Sequence, residues 1–199
     1  MLHSQHDKAE EHARLGIIND PLSYYAHFML SGTLGIMGAY DEAILEGELG
    51  LKLDPEAIVA HWMLSGVYCW AGKFRKSETT CLDAIAKFGK NSWLQMRLLL
   101  IYISEKRDVD AKKVFQDLCQ LKNEQFVQPM ILAIYTAAMG ETIQAIEFAS
   151  EAADIYDPSF TFLGGCLPDS EALRALPEFL EMMRQFNIKV DSESLSLDT

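Results

Sequence analysis

The chain has 199 residues, a formal net charge of −12 and 49% hydrophobic residues, enough apolar material for one domain or a small array with a continuous core. That acidic balance argues against nucleic acid and anionic membrane surfaces as partners, and no run approaches the ~18 to 20 apolar residues of a membrane span. His3, Gln5, His6, Asp7 and Lys8 interrupt the N-terminus where a signal peptide would need an apolar stretch, so a cytoplasmic protein is expected.

In chain order, the first element is a helix within residues 1–22. Its Ala9, Gly16, Asp20 and Pro21 hold the places that Ala43, Gly50, Asp54 and Pro55 hold 34 residues later. It reads as the second helix, B, of a hairpin that has no helix A before it. Next, Ala-His-Phe-Met-Leu-Ser-Gly at Ala26 to Gly32 returns as Ala-His-Trp-Met-Leu-Ser-Gly at Ala60 to Gly66, again at an offset of 34. A fixed offset of that size means stacked helical hairpins.

Four windows, 24–57, 58–91, 92–125 and 126–159, align without insertion or deletion. Their seventh position reads Leu30, Leu64, Leu98, Leu132 and their twentieth Ala43, Ser77, Ala111, Ala145, a large column against a small one, as two packed helices require. The fifteenth reads Gly38, Gly72, Lys106, Gly140, where a turn wants positive φ. Each window is therefore a helix A, a turn and a helix B. After Asp157 and Pro158 the period stops. Residues 160–189 read as a helical cap, with helices over Asp169 to Leu176 and Glu178 to Phe186, Pro177 at the first turn of the latter, and Phe179, Leu180, Met183 and Phe186 on one side. Residues 190–199 are polar and expected to be disordered.

These columns resemble the tetratricopeptide repeat, whose pattern is Trp-x2-Leu-Gly-x2-Tyr, Ala-x3-Phe and Pro. The second window offers His61-x2-Leu64-Ser65-x2-Tyr68, and the first Tyr40-Asp41-Glu42-Ala43 and Leu53-Asp54-Pro55. The fourth-position aromatic is replaced by His27, His61, Gln95 and Pro129, so windows three and four resemble the family more by spacing than by letter. The resemblance covers roughly Lys8 to Pro158. It implies an all-α, right-handed superhelical solenoid of antiparallel helix pairs, acting as a non-catalytic protein-interaction module or scaffold. The stretch 171–188, with Leu173, Arg174, Pro177, Phe179 and Met182, is also similar to the ending of tetratricopeptide regions in bacterial multidomain signalling proteins of the adenylate cyclase, kinase or winged-helix regulator type. With the missing first helix A, it implies the C-terminal part of a longer, regulatory protein.

The sequence offers no nucleophile with a plausible base. No phosphate loop or nucleophile elbow occurs. His3, His6 and His12 lack a convincing fourth metal ligand, and His27 with His61 suit packed, hydrogen-bonded roles. Asp41, Glu42, Glu10 and Glu11 fall at helix starts, where the dipole favours them. Cys69, Cys81, Cys119 and Cys166 are too far apart for a zinc or redox motif and are expected as free thiols. No enzyme, metal or cofactor is expected. Charge is uneven: 3 basic and 10 acidic residues up to Ala57, 11 and 7 from Ile58 to Gln125, 3 and 12 beyond. The basic group, Lys73, Arg75, Lys76, Lys106, Arg107, Lys112 and Lys113, is either a solvated edge or a contact for an acidic partner or a second copy.

The resemblance also places the binding surface. In such arrays the A helices line the concave side through positions two, five, nine, twelve and thirteen. Here these include Tyr25, Val59 and Trp93; Phe28, Trp62 and Met96; Gly32 and Gly66; Gly35 and Cys69; Ile36 and Trp70. None is charged, so a clamp for a carboxylate tail is not expected. An apolar groove of this kind should be covered by a partner peptide or helix, with homodimerisation as the alternative. Met96, Leu100 and Ile134 stay open to a core role. Gly32 and Gly35 together cost a helix ~2 kcal/mol against alanine, which suggests a hollow beside Phe28, Trp62 and Trp70 that admits a bulky side chain.

Overall fold

A computed structural model describes residues 3–188; the expected tail at 190–199 lies outside the described residues. The architecture is all-α, with tetratricopeptide-like helices packed in consecutive pairs and no strand among the described residues. Two compact units divide at Glu105 and Lys106. The first holds α1 (His3–Asn19), α2 (Tyr24–Ile36), α3 (Tyr40–Leu53), α4 (Ile58–Trp70), α5 (Phe74–Phe88) and α6 (Ser92–Ser104). The second holds α7 (Asp108–Leu121), α8 (Pro129–Ala138), α9 (Thr142–Asp154), α10 (Pro158–Cys166), a 3-10 turn at Pro168–Ser170, α11 (Glu171–Arg174) and α12 (Pro177–Gln185).

Local chemistry sets the helix boundaries. Side chains of Ser23, Asn91 and Asp157 accept from the backbone N–H groups of Ala26, Leu94 and Ser159, capping α2, α6 and α10. Between α1 and α2, and again between α3 and α4, an aspartate accepts from the N–H two residues on: Asp20 from Leu22 at 3.1 Å and Asp54 from Glu56 at 2.9 Å. The turns that end α2, α4 and α8 use Gly38, Gly72 and Gly140 at φ 81°, 69° and 78°. Lys106 takes the same conformation at φ 57° although it is not glycine, a strain of about 1 kcal/mol.

The first unit is stitched at fixed columns. In position eight, Ser31 Oγ donates to the Ala43 carbonyl (2.7 Å) and Ser65 Oγ to the Ser77 carbonyl (3.0 Å), while Ser77 Oγ donates back to Ser65 O (2.6 Å). All three serines are fully buried. His27 Nε2 donates to Pro21 O at 3.1 Å and His61 Nε2 to Pro55 O at 3.0 Å, so both histidines of the duplicated segment pin helix A to the Asp-Pro turn before it. His27 Nδ1 also lies 2.6 Å from Glu46 Oε2.

In the second unit, the sequence pattern placed no helix over residues 158–166, yet α10 forms there. Asp157 caps it, Pro158 supplies its first turn, and Gly164 lets Phe179 and Met130 approach: a Cβ there would lie 2.8 Å from Phe179 Cζ and 3.0 Å from Met130 Cε. Gly164, unfavourable for a helix by propensity, here serves close packing. The ending of the chain works the same end of the unit. Arg174 Nη1 donates to Gly164 O (3.2 Å) and Leu167 O (2.8 Å), binding carbonyls at the C-terminal end of α10, and the buried rings of Phe160 and Phe179 meet edge to face at 5.7 Å.

Candidate protein-docking site

All twelve groove residues expected from the sequence lie in the first unit, on α2, α4 and α6. Among the residues of these three helices Arg97 is the sole charge, and its side chain is fully buried. The structure sorts the twelve into three groups. Tyr25 and Val59 are exposed, at 56% and 47%. Phe28, Ile36, Trp70 and Trp93 are half-buried. Gly32, Gly35, Trp62, Gly66, Cys69 and Met96 are buried.

The expected open strip is thus largely interior, and the reason is how each A helix leans on the one before. A Cβ on Gly32 would lie 2.8 Å from Met63 Cε; on Gly35, 3.0 Å from both Trp70 Cζ3 and Val67 Cγ2; on Gly66, 2.7 Å from Arg97 Nη2. The hollow expected beside Gly32 and Gly35 exists, but α4 fills it with Met63, Val67 and Trp70. Leu100 is buried as well, and so, in the second unit, is Ile134.

What stays accessible is a shallow aromatic and aliphatic surface at the N-terminal ends of the A helices. Tyr25 and Phe28 rings lie 5.6 Å apart, and Trp62 meets Trp93 edge to face at 5.3 Å. Behind them the Arg97 guanidinium stands 5.4 Å from the Trp62 ring and 5.5 Å from the Trp70 ring. A buried cation over two indoles fixes their planes. Sequence reasoning missed Arg97 because column six otherwise reads Met29, Met63 and Ile131; the one available signal was an arginine in an apolar column one repeat after Gly66.

Three of the seven residues of the basic group, Lys73, Lys76 and Arg107, are paired within their own units, as are Lys87 and Lys122 outside that group. Lys73 faces Asp41 (3.7 Å), Lys76 faces Glu48 (3.6 Å) and Lys87 faces Glu56 (2.5 Å), so basic residues of the second window meet acidic residues of the first. In the second unit Lys122 bonds Glu151 at 3.1 Å and Arg107 bonds Asp110 at 2.9 Å. Such exposed pairs are each worth about 0 to 1 kcal/mol and read as a solvated edge. Tyr68 donates to Glu48 Oε1 at 2.5 Å; burial, then that bond, pushes its hydroxyl well above the ordinary tyrosine range. The depression lined by Gly72, Lys73, Phe74, Arg75, Lys76 and Glu105 is open to solvent. Among the described residues no group of three or more His, Cys, Asp or Glu could hold a metal ion, and no helix is long and apolar enough to cross a membrane.

No family model matches the chain, and no curated protein matches it. Among solved structures it is similar to YrrB, described as a TPR protein with an unusual peptide-binding site: identity is 16%, 93% of this chain and 96% of that one are covered, and the TM-score is 0.49.

Proposed function

We propose that the chain is a non-catalytic protein-interaction module that holds a partner peptide or helix against the A helices of its first unit. One observation carries the reading. The accessible part of those helices is uncharged and aromatic, with Tyr25, Phe28, Val59 and Trp93 gathered at one end over a rigid Arg97–Trp62–Trp70 cluster, whereas the helices between them carry the ion pairs. Rigid aromatic side chains bury large area at small entropic cost, which is what a docking surface needs. The likeness of residues 171–188 to the endings of bacterial signalling proteins supports a regulatory setting within a larger protein. A cytoplasmic setting fits the free thiols of Cys81 and Cys119.

Selection of displayed peptides on the purified chain, followed by titration of the best binder, tests the proposal. Phe28→Ala and Val59→Asp should each weaken that peptide tenfold or more while the melting temperature holds. Failure to select any peptide, or affinity unchanged in both variants, defeats it.

A further inference from the structure

His27 is placed so that each of its ring nitrogens meets an acceptor. Its counterpart one repeat later fixes the assignment. His61 sends Nε2–H to the Pro55 carbonyl, and its Nδ1 is buried with no hydrogen-bond partner among the described residues, so a neutral ring suits that site. His27 sends Nε2–H to Pro21 O at 3.1 Å in the same way, but its Nδ1 lies 2.6 Å from Glu46 Oε2. Oxygens at both nitrogens call for two protons on the ring, or for one on the ring and one on the carboxyl. Without that extra proton, a nitrogen lone pair would stand against a carboxylate in a ring that is only 3% exposed.

The two repeats differ here for readable reasons. Where α3 carries Glu46, the same column of α5 carries Thr80, whose hydroxyl turns back to its own helix and donates to Lys76 O at 2.9 Å. One turn after Glu46, Gly50 lets α3 close on the ring: a Cβ there would lie 3.2 Å from His27 Cβ. Helix α2 packs on α1, α3 and α4, and among the described residues Glu46 is the one charged group that bonds or pairs with His27. The other ionisable groups of those segments are engaged elsewhere. Arg14 of α1 pairs with Glu10 and Glu42, Asp20 accepts from the Leu22 N–H, and Tyr68 of α4 donates to Glu48.

We propose that His27 and Glu46 hold one extra proton between them and so form a pH-sensitive latch that ties the α1–α2 turn, α2 and α3 together. With the proton, all three segments are joined through one ring. When it leaves, the two groups repel and Glu46, whose side chain is 22% exposed, turns to water while Ser31 still joins α2 to the Ala43 carbonyl. The second repeat, with Thr80 in place of Glu46, has no such latch. The device is independent of the docking surface, since the chain alone shows it.

Two measurements on the full chain test it. A long-range 1H–15N spectrum with assigned histidine signals is recorded at about pH 7, above the point where a free histidine gives up half its protons. His61 should show a neutral ring protonated at Nε2. His27 should show both nitrogens protonated, or a protonated Glu46 carboxyl beside a neutral ring. A neutral His27 beside an ionised Glu46 overturns the proposal. The second measurement is the melting temperature at about pH 6 and about pH 9, followed by tryptophan fluorescence, in wild type and Glu46→Gln. A glutamine N–H can donate to Nδ1 of a neutral ring, so the variant needs no extra proton. The latch stabilises on the acid side and is lost as pH rises, so wild type should fall by about 4 °C or more beyond the fall of the variant. Equal falls in both overturn the proposal, and if Glu46→Gln does not fold, the spectrum of the wild type decides.

Discussion

Gly66→Ala is the sharpest test of how the A helices stack. The new Cβ would lie 2.7 Å from Arg97 Nη2, 2.9 Å from Cζ and 3.3 Å from Nε. A guanidinium is planar and stiff, and this one is fully buried over two indole rings, so it yields less readily than the end of a methionine side chain. Alanine in a helix interior gains about 1 kcal/mol over glycine. Against that stand about 1 to 3 kcal/mol of overpacking and up to about 2 kcal/mol of lost cation–π attraction, a net loss of about 2 kcal/mol. Gly32→Ala makes the comparison. Its Cβ comes close to Met63 Cε and Sδ, at 2.8 and 3.0 Å, the far end of a flexible side chain, so gain and cost nearly cancel. All three tryptophans, Trp62, Trp70 and Trp93, are in the first unit, so urea unfolding followed by tryptophan fluorescence reports that unit alone. The Gly66→Ala midpoint should fall by about 1 to 2 M relative to wild type and Gly32→Ala should stay near it. Adding Arg97→Met to Gly66→Ala should recover most of the loss. A Gly66→Ala protein as stable as Gly32→Ala would refute the packing argument.

Gly35→Leu should lower both the urea midpoint and the helical circular dichroism at ambient temperature, since Trp70 and Val67 already lie 3.0 Å from where a Cβ would stand; intact helicity with unchanged stability counts against it. Burial pushes the Cys81 thiol up to about 12 from its ordinary 9.0, so the folded state holds that proton while the unfolded state gives it up. Its stabilising contribution is complete below pH 9 and lost as pH rises through 12, and the alkaline decline in stability should be shallower in Cys81→Ala than in wild type. In native protein at neutral pH, iodoacetamide should label the exposed Cys119 well before the buried Cys81, read by peptide mass spectrometry. Arg174→Ala removes two charge-assisted bonds to carbonyls, at about 1.5 to 3 kcal/mol each, and should speed hydrogen exchange in α10 and α12 with no change in tryptophan fluorescence; equal exchange in variant and wild type would remove Arg174 from its bridging role.

Much of the hairpin pattern was written in the letters. Turn glycines at Gly38, Gly72 and Gly140, large Leu30 and Leu64 opposite small Ala43 and Ser77, and the Asp-Pro steps at Asp20 and Asp54 each answer to one local constraint, positive φ, a close helix pair or a capped turn. The open part of the A helices was not legible in the same way. Trp62 and Val59 both sit in concave columns, yet one is 4% exposed and the other 47%, because exposure depends on the side chains that the next helix brings over, Trp93 and Arg97 among them. The helix over 158–166 was hidden for a related reason: Gly164 costs helix propensity locally, and what offsets it is Phe179, distant in sequence.

The duplicated seven residues show how a repeat can disguise its own contacts. Alignment at 34 residues compares Gly32 with Gly66 and Met29 with Met63, each residue with its copy. Packing joins different columns, Gly32 to Met63 and Gly66 to Arg97, each pair 31 residues apart. One copy of the segment is therefore the socket and the next copy is the knob. Each segment carries both halves, and only a neighbour on either side uses both. In Ala60 to Gly66 both are engaged, Met63 towards α2 and Gly66 towards α6. In Ala26 to Gly32 the socket is filled by Met63, while Met29 stands 41% exposed where Met63 is 4%, so identical letters at one column do not mean identical burial.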